Sequence, residues 1–420
     1  MVKVNNKVLI VSNNVLSTTN NNGKTLLSLF QGINKERIQQ LYFSSEVPSI
    51  SGYSYFQISD TDVLRYYFNP NKKGRVWDSF SNFTNVGSVN SSKVKIVRNV
   101  FTCFARDLLW LNSWKSKKII KWLDEFSPDL VFFVAGDTGF TYNIVNYIIK
   151  RYKCNLITYI TDDYIMNRKT DSFIGNIRRL FIRRKMVQAI QKSDTYFTIS
   201  RNMQKAYADI TNKNSNIIMN ITESLYDSKF AKNDSDCIHI VYAGSLYYGR
   251  NKIIRELGKC INKINPCTRK ICIEVYSNQK PENQVIKELE ETGVCKYNGS
   301  LNFEELKKIY NVADFLLFVE NFDLRYKEKT MYSLSTKISE YLSVGKPILA
   351  IGPRDVGSMM YLQDVAFCLY DLENMDEFVR NVFCNTQDWD IMGKKARNKF
   401  KKDNDPMKLH EMFYSECKLL

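Results

Sequence analysis

The sequence predicts an α/β protein made of two doubly wound domains, each built on a parallel sheet. Its 420 residues are more than one ordinary core needs, and they suit two domains. Short apolar runs alternate with helical patterns, and the alternation restarts after the polar, aperiodic residues 226–237. Strands that alternate with helices favour parallel sheets with right-handed crossovers, so two such series indicate two domains.

The first series contains four predicted strands, each followed by a predicted helix. The strands are Val8–Val11, Leu130–Val134, Leu156–Ile160 and Tyr196–Ile199. The helices are Lys24–Ile33, Tyr142–Arg151, Phe173–Gln191 and Met203–Ile210. Residues 44–100 are less regular and carry polar loops rich in Ser and Asn. We assign residues 1–228 to the first domain.

The second series begins after the polar stretch. Its predicted strands are Ile238–Tyr242, Ile271–Tyr276, Phe315–Val319, Ile348–Ile351 and Ala366–Leu369, and its clearest helices are Ile253–Ile264 and Ser335–Ser343. Residues 229–400 form the second domain, and we expect residues 401–420 to form a helix that packs back toward the first. Ligands of doubly wound folds bind at the carboxyl ends of the strands, so the two domains would face each other across a cleft.

Most of the excess positive charge falls in the first domain. Of the formal net charge of +16, residues 1–228 contribute +14, from 31 Lys and Arg against 17 Asp and Glu. Charge of this sign favours an anionic partner, which could be a phosphorylated substrate, an anionic membrane surface or nucleic acid.

Cysteine and histidine usage argues against disulfide and zinc sites. The ten Cys include no CxxC pair, and His239 and His410 are the two His of the sequence. This pattern suits a reducing cytoplasm and predicts no metal site. The start, MVKVNNKVLIVSNN, has only a short apolar run, which is typical of a strand rather than a signal peptide. No stretch has the roughly 20 apolar residues of a membrane-spanning helix.

The loop after the first strand, SNNVLSTTNNNGKTLLSLF, enters a helix at Gly23. The free N–H groups of a helix start attract phosphate, and glycine lets the backbone approach closely. It is not a Walker A loop, because Thr18 stands where that motif needs Gly. We interpret it as an anion-facing turn, with an ordinary connecting loop as the alternative.

A similar turn opens the second domain, in IVYAGSLYYGRNKIIRELGKCI. The strand is followed by Gly244, a short loop with Gly249, and a helix whose start carries Arg250 and Lys252. The helix dipole disfavours cations at this position, so an anion bound between them would explain the placement. A solvated basic pair is the alternative.

The segment MYSLSTKISEYLSVGKPILAIG is the most informative one. Ser335 and Thr336 are suited to capping a helix, and Lys337 and Glu340 are three residues apart, so they share a face. A carboxylate beside a phosphate site can accept hydrogen bonds from ribose hydroxyls. The alternative is a surface Lys–Glu pair on an ordinary helix.

This segment resembles the donor-site helix of GT-B glycosyltransferases of the GT4-like kind, which often read S-x-K-x-x-E-Y-x-x-x-G-K-P. The match is SxKIxEYLxxGKPIL, and YAGSLYYGR resembles the GRLxxxKG loop of the same family. The resemblance covers the second domain well and the first in layout only. It implies the GT-B fold, in which two Rossmann-like domains face each other across a cleft, and a nucleotide-sugar donor in the second domain.

The resemblance also implies roles for single residues. Glu340 would hold the ribose of the donor nucleotide, and Gly23 would approach its diphosphate from the first domain. Residues of the second domain would surround the diphosphate: Gly244, Arg250, Ser335 and Lys337, with Lys252 and Thr336 beside them. Fixed cations and N–H groups can neutralise a leaving diphosphate without metal. We expect no permanent cofactor, only a UDP- or GDP-sugar as substrate.

The sequence departs from the family pattern where the chemistry would take place. The earlier Glu of many members is Tyr332, the Arg usual after the loop glycine is Ser245, and the His often found near the reacting sugar is missing from the first domain. Carboxylates that follow strands can orient or deprotonate an acceptor hydroxyl. Asp137 and Asp163 stand in such positions and are the candidate catalytic residues, although Asp also commonly caps helices.

Two basic segments of the first domain carry aromatic and aliphatic residues. They are NIRRLFIRRKMVQAI and WLNSWKSKKIIKWL, the second with Trp110, Trp114 and Trp122. Basic helices with aromatic residues suit an anionic membrane surface. The alternative is two solvated helices whose apolar faces lie in the core.

We therefore expect a cytoplasmic glycosyltransferase, free in solution or peripheral at the inner face of the plasma membrane. It would move a sugar, with retention, from a nucleotide-diphosphate-sugar to a glycan or lipid-linked diphosphate acceptor in bacterial capsule, lipopolysaccharide or exopolysaccharide synthesis. The alternatives are a nucleic-acid-binding protein, for which no known module is visible, and a sugar-nucleotide epimerase of the same fold. The sequence leaves open the donor sugar, the nucleotide base, the acceptor, the linkage and the oligomeric state.

Overall fold

The structure of the chain, a computed structural model, describes residues 6–18, 21–66, 74–77, 99–227 and 236–419. These residues divide into two units. The first unit comprises Met1–Ile218 and His410–Leu420, and the second comprises Met219–Leu409. The domain boundary proposed from the sequence lies after residue 228. Residues 228–235, which make up most of the polar stretch, lie outside the described residues.

The first unit is built on an eight-stranded sheet in the order β4-β3-β2-β1-β5-β6-β7-β8. The strands are β1 (Val8–Ser12), β2 (Ile38–Tyr42), β3 (Ser54–Gln57), β4 (Arg75–Trp77), β5 (Leu130–Ala135), β6 (Asn155–Ile160), β7 (Thr195–Thr198) and β8 (Asn216–Ile217). The pairs are parallel except for β3 with β4. Because the chain extends the sheet first to one side of β1 and then to the other, the order reverses between β1 and β5. Ligands of doubly wound folds bind at such a reversal.

Helices connect these strands, and polar side chains cap four of them. They are α1 (Asn21–Leu29), α2 (Asp60–Tyr66), α3 (Val100–Ser113), α4 (Lys117–Phe126), α5 (Gly139–Tyr152), α6 (Phe173–Lys192) and α7 (Arg201–Thr211). The side chains of Asn99, Ser116, Ser172 and Ser200 accept hydrogen bonds from backbone N–H groups in the first turns of α3, α4, α6 and α7. Each bond satisfies a donor that has no partner within its own helix, which fixes where the helix begins.

The second unit is built on a six-stranded parallel sheet in the order β11-β10-β9-β12-β13-β14. The strands are β9 (Cys237–Ala243), β10 (Lys270–Tyr276), β11 (Cys295–Tyr297), β12 (Phe315–Val319), β13 (Ile348–Ile351) and β14 (Phe367–Leu369). The order reverses between β9 and β12. The helices are α8 (Arg250–Ile264), α9 (Asn283–Glu290), α10 (Phe303–Val312), α11 (Leu324–Thr330), α12 (Thr336–Val344), α13 (Gly357–Leu362), α14 (Met375–Cys384) and α15 (Gln387–Asp403).

The chain ends in α16 (Pro406–Glu416), whose residues from His410 onward belong to the first unit. The ring of Phe413 lies with its centroid 5.2 Å from that of Phe30 and 5.5 Å from that of Phe132, and it is fully buried. His410 Nε2 lies 2.7 Å from the carbonyl oxygen of Ser28. The last helix therefore completes the core on one face of the first sheet.

Three of the apolar runs that predict strands in the sequence are buried along their whole length. All residues of β1 and β12 are buried, as are all residues of β13. Strands covered by helices on both faces need continuous apolar sequences rather than alternating ones. The predicted fold class, α/β with two parallel-sheet domains, is confirmed.

The first sheet also holds strands that the sequence pattern did not predict. β2 reads IQQLY, and its Gln39 and Gln40 interrupt the apolar run. β3 and β4 lie in the irregular region 44–100, much of which falls outside the described residues. Short strands with polar residues give too weak a periodic signal to be recognised.

The tryptophans of the basic segments lie in the core and not on an outer face. Trp110 is 1% exposed and stacks on Phe140 with ring centroids 4.0 Å apart. Trp114 and Trp122 are buried as well. For α4 the alternative interpretation therefore holds, because its apolar face packs inward while its lysines face solvent.

A buried ion pair joins three helices of the first unit. Arg178 on α6 pairs with Asp107 on α3 through the Nη1 and Oδ2 atoms, and both side chains are about nine-tenths buried. The other carboxylate oxygen of Asp107 accepts a hydrogen bond from the backbone N–H of Phe140 at the start of α5. Arg178 also donates to the carbonyl oxygen of Asp137. Removing the charge on one side would leave the other charge buried without a partner.

We expect Asp107→Asn to lower the free energy of unfolding of the first unit by about 3 kcal/mol or more, since the isosteric amide leaves Arg178 uncompensated. Chemical denaturation followed by tryptophan fluorescence measures this, because Trp110 and Trp114 lie in the same unit. The matched control is Asp124→Asn, which removes an Asp–Arg pair with Arg151 that is nearly half exposed. An exposed pair contributes little, so equal effects of the two substitutions would contradict this account.

Candidate functional site

The candidate donor site lies at the carboxyl edge of the second sheet, where the strand order reverses between β9 and β12. Gly244 and the loop to Arg250 follow β9, and Glu320 follows β12 directly. At this reversal, successive crossover connections depart to opposite sides and leave a crevice between them. The loop of Gly244–Arg250 and the start of α12 are the two segments that the sequence singled out.

The loop after β9 has a backbone path that requires glycine at one position. Gly249 has φ +69°, and a Cβ there would lie 2.1 Å from Nδ2 of Asn321. Asn321 itself donates from Nδ2 to the carbonyl oxygen of Gly249. Gly249 is therefore fixed both by its left-handed conformation and by the close approach of the loop after β12. This contact holds the start of α8 in place.

Arg250 makes a two-point ion pair with Glu320. Its Nη2 lies 2.9 Å from Oε1 and 3.1 Å from Oε2, and Glu320 is only 3% exposed. Burial lowers the pKa of the Arg250 guanidinium, but the charge and hydrogen bonding of Glu320 together with Tyr242 and Tyr248 outweigh burial, so the pKa lies above its ordinary value. Burial raises the pKa of the Glu320 carboxyl, and Arg250 and Thr330 oppose that rise. Both hydrogen bonds to Glu320 come from Nη2, which is one of the three nitrogen atoms that carry the five N–H donors of a guanidinium.

The start of α12 brings Lys337 and Glu340 together as the spacing predicts. Ser335 is the N-cap, and its hydroxyl oxygen accepts from the Lys337 N–H at 3.4 Å. Lys337 Nζ lies 2.9 Å from Glu340 Oε2. The hydroxyl of Tyr310 donates to the same oxygen at 3.4 Å, and Glu340 is 3% exposed. A buried carboxylate with one lysine at its rim is a suitable acceptor for hydroxyl groups.

Tyr341 fastens α12 to the two central strands of the sheet. Its hydroxyl oxygen accepts from the Ala243 N–H at 3.2 Å and donates to the carbonyl oxygen of Leu317, also at 3.2 Å. Ala243 is the last residue of β9 and immediately precedes Gly244. The side chain next to Glu340 is thus bonded to the strand end from which the glycine loop departs.

The remaining sequence-predicted residues of the second unit lie around these. Gly244 is half-buried, and its N–H donates to the carbonyl oxygen of Tyr276 on β10. Lys252 is exposed on the first turn of α8, and Thr336 is the first residue of α12. The binding roles predicted for all these residues remain predictions.

Several residues of this site escaped the sequence reasoning. Glu320 and Asn321 follow the fully apolar run FLLFV. A carboxylate at the end of a buried strand is unusual, and this is the feature of the sequence that could have indicated a functional role for Glu320. Tyr310 and Tyr341 look like core residues in the sequence, and both side chains are indeed buried in the core. The Tyr310 hydroxyl reaches Glu340, and the Tyr341 hydroxyl reaches the backbone of β9 and β12.

In the first unit, the loop after β1 is held by a buried glutamine that the sequence reasoning also missed. Gln40 on β2 donates from Nε2 to Ser12 Oγ and to the carbonyl oxygen of Asn14, and its Oε1 accepts from the Leu16 N–H. Gly23 lies buried in the first turn of α1, and a Cβ there would lie 2.3 Å from the carbonyl oxygen of Val15. The structure thus gives Gly23 a packing reason, and its predicted approach to a diphosphate remains a prediction.

Asp137 lies at the strand-order reversal of the first sheet, directly after β5 and Gly136. It is half-buried, and it does not cap α5, since Thr138 holds that position. The hydroxyl of Tyr142 donates to the carbonyl oxygen of Gly136. Burial raises the pKa of Tyr142, and the Asp137 charge adds to the rise. Asp137 therefore stands where a ligand of this sheet would bind.

Asp163 is held far more tightly, and it is 4% exposed. Its Oδ1 accepts from the N–H groups of Ile165 and Met166, at 3.1 and 3.0 Å. Its Oδ2 lies 3.5 Å from both Arg168 and Arg179. A general base must reach the proton that it removes, so this geometry favours Asp163 as the organiser of its own loop. Of the two candidate bases, Asp137 is the more accessible.

Two absences hold for the part of the chain that the structure describes. In it, His, Cys, Asp and Glu side chains do not gather in groups of three or more that could hold a metal ion. Within the same residues, every helix is too short or too polar to cross a membrane.

Comparison with known proteins places the fold. The sequence matches no protein-family profile and no curated protein. Solved structures do match over the whole chain. A trehalose-phosphate synthase from Burkholderia xenovorans, in complex with glucose-6-phosphate, has a TM-score of 0.59 at 12% identity, with 98% of this chain and 100% of that one covered.

Two further structures agree with it. Trehalose-6-phosphate synthase from E. coli, bound with UDP-2-fluoro glucose, gives a TM-score of 0.64 at 11% identity and covers 98% of this chain and 99% of its own. A glycosyltransferase from Rickettsia africae gives 0.60 at 10% identity, with the same coverage. The chain has the fold of the GT-B glycosyltransferases along its full described length.

Proposed function

We propose that this chain is a glycosyltransferase that uses a nucleotide-diphosphate-sugar as donor. The observation that carries the proposal is the carboxyl edge of the second sheet. There Tyr341 joins the SxKIxEY helix to the strand that leads into the glycine loop. The buried carboxylate of Glu320 pairs with Arg250, and that of Glu340 pairs with Lys337. The fold supports the class of reaction, because the similar solved structures include sugar-transferring enzymes.

In this proposal Glu340 accepts hydrogen bonds from the ribose hydroxyls, while Lys337 and Arg250 face the diphosphate. The buried partners Glu320 and Tyr310 hold the charged groups in one orientation before the donor binds. Groups that are already oriented lose little freedom on binding and need not reorganise as negative charge grows on the leaving diphosphate. Ser335, Thr336, Gly244 and the more exposed Lys252 would complete the anion site.

On the acceptor side we propose Asp137 as the residue that orients or deprotonates the acceptor hydroxyl, with Asp163 positioning the neighbouring loop. The acceptor we propose is a glycan or lipid-linked diphosphate of bacterial surface polysaccharide synthesis, and transfer would retain the anomeric configuration. A sugar phosphate is the second candidate acceptor, because one similar structure binds glucose-6-phosphate. An acceptor on a lipid would place the enzyme at the inner face of the plasma membrane.

A thermal-shift screen against UDP, GDP, CDP and their sugars tests the donor class, since a ligand that binds only the folded state raises the melting temperature. UDP-glucose is the first donor to assay, given the E. coli structure with UDP-2-fluoro glucose. Salt-sensitive binding of RNA without binding of any nucleotide-sugar would favour the nucleic-acid alternative. Isomerised donor in the absence of acceptor would favour an epimerase.

We expect Glu340→Ala to weaken binding of the donor nucleotide roughly tenfold to a hundredfold, the range for hydrogen bonds that involve a charged group. Isothermal titration with UDP and with uridine measures the effect, and both ligands should lose affinity because both carry the ribose. Glu340→Gln keeps the shape and should retain part of the binding. Glu304→Ala, at an exposed position of α10, is the matched control. Unchanged affinity in Glu340→Ala would remove the proposed ribose contact.

We expect Arg250→Gln to weaken UDP binding by a similar factor while leaving uridine binding unchanged, because Arg250 is assigned to the diphosphate. The substitution also acts on stability. Since burial raises the pKa of Glu320, folding favours its protonated form, and stability falls as pH rises from the ordinary value through the raised one. Without Arg250 the pKa rises further.

The variant should therefore lose more stability at neutral pH than at mildly acidic pH, measured as melting temperature against pH. The double variant Arg250→Gln/Glu320→Gln lacks the titrating carboxyl and should not show this additional pH dependence. If the single and double variants have the same pH profile, the ion pair does not control the stability of this site.

A further inference from the structure

The first unit exposes apolar side chains on two neighbouring helices. Among its described residues, nine large apolar side chains are exposed, and seven of them lie on α3 and α6. We call these seven the α3–α6 surface: Phe101, Leu108, Leu111, Phe173, Ile174, Ile177 and Leu180. Phe173 is 81% exposed and Leu108 is 69% exposed. Single exposed apolar residues are ordinary, but a concentration on one surface marks an interaction site.

The two helices touch each other, so the seven residues form one surface. The rings of Phe104 on α3 and Phe181 on α6 lie 5.9 Å apart, and the guanidinium of Arg178 lies 4.8 Å from the Phe104 ring. The buried Asp107–Arg178 pair lies beneath this contact. The spacing within α6 places Phe173, Ile177 and Leu180 on one face, because residues three and four apart are neighbours on a helix.

The opposite face of α6 is also apolar and lies in the core, through Ile182, Met186 and Ile190. A helix that only covers a core presents polar residues to water. α6 instead exposes phenylalanine, isoleucine and leucine side chains on its outer face. Their contact with water is unfavourable in free energy. The folding of this unit does not explain the outer face.

The charged side chains of α6 are all positive. α6 contains six Lys and Arg and no Asp or Glu. Arg178 and Arg179 pair with Asp107 and Asp171. Arg184 is exposed and continues the face of Leu180, four residues on, and Arg183 lies beside it. Neither forms an ion pair with a described carboxylate.

At the start of α4, the helix that follows α3 in the chain, Lys117 and Lys118 are exposed as well. Exposed phenylalanine and leucine side chains lie here beside arginines that pair with none of the described carboxylates. This combination matches a surface that is apolar below and anionic above. A bilayer with anionic headgroups has this arrangement.

We propose that the α3–α6 surface docks the protein on an anionic membrane, with its apolar side chains inserted at the headgroup level and Arg183 and Arg184 among the headgroups. The helices lie along the interface and do not cross it. The biological sense of this docking rests on the proposed function, since a lipid-linked acceptor would be met there. Binding to vesicles, however, is measured without any sugar transfer, so failure of docking and failure of transfer can be told apart.

The test is vesicle co-sedimentation of the full chain, with phosphatidylcholine vesicles and with vesicles that also contain phosphatidylglycerol. We expect binding to the anionic vesicles, weaker at high salt because screening shortens the reach of the arginines. Leu108→Glu/Phe173→Glu should reduce binding at least about tenfold, since it places two charges in the apolar layer. Arg183→Gln/Arg184→Gln should reduce it roughly fivefold per arginine.

Met407→Glu is the matched control, because Met407 is 73% exposed but lies in the second unit. It should bind vesicles as the unaltered protein does. All variants should keep their melting temperature and their donor binding, which excludes misfolding. The proposal is overturned if anionic vesicles do not bind the protein, or if Leu108→Glu/Phe173→Glu binds them as well as the control. It is equally overturned if that variant only converts a dimer to a monomer, since the surface would then join two copies of the chain.

Discussion

The arrangement of this protein depends on one constraint, which is that parallel strands end together. Each sheet is extended first to one side of its starting strand and then to the other, so two loops diverge beside β1 and two beside β9. In the second unit this places Arg250 and Glu320, which lie 70 residues apart in sequence, within hydrogen-bonding distance. In the first unit, Asp137 and the loop held by Gln40 likewise follow two neighbouring strands, β5 and β1. The strand order therefore determines which residues can meet in both candidate sites, and the individual side chains then determine their chemistry.

Buried carboxylates recur beneath the cations of this molecule. Glu320 holds Arg250, Glu340 holds Lys337, and Asp163 faces both Arg168 and Arg179. A buried ion pair need not stabilise a protein, because desolvation offsets most of the attraction. The effect of these ion pairs is orientation. When one N–H group of a long, flexible cationic side chain is held by a carboxylate, its other N–H groups point in a defined direction. The number of positive charges in the sequence is thus a poor measure of the positive charge that these sites present.

The parts of this structure that the sequence could predict are those in which a residue acts through its neighbours along the chain. Continuous apolar runs predicted nearly all strands of the second sheet, and the spacing of Lys337 and Glu340 predicted their contact. Contacts between distant segments were out of reach. Nothing near Asp163 in the sequence shows that Arg179 faces it, and nothing near Arg250 shows Glu320. Trp110, Trp114 and Trp122 mark a related limit, because a helix with aromatic and basic residues has the same sequence pattern whether its aromatic face meets the core or a membrane.

α6 shows how the two kinds of surface can be told apart once a structure exists. Its inner face is fixed by the core and by the Asp107–Arg178 pair, which leaves its outer face free of any structural task. Apolar residues on that outer face cost free energy in water. Arg183 and Arg184 add positive charge there that no carboxylate of the described residues neutralises. Both features become favourable against the same kind of partner, one that is apolar and anionic together. The inner pair would keep the two helices in register, so that side chains from α3 and α6 meet such a surface as one rigid patch rather than as two independent helices.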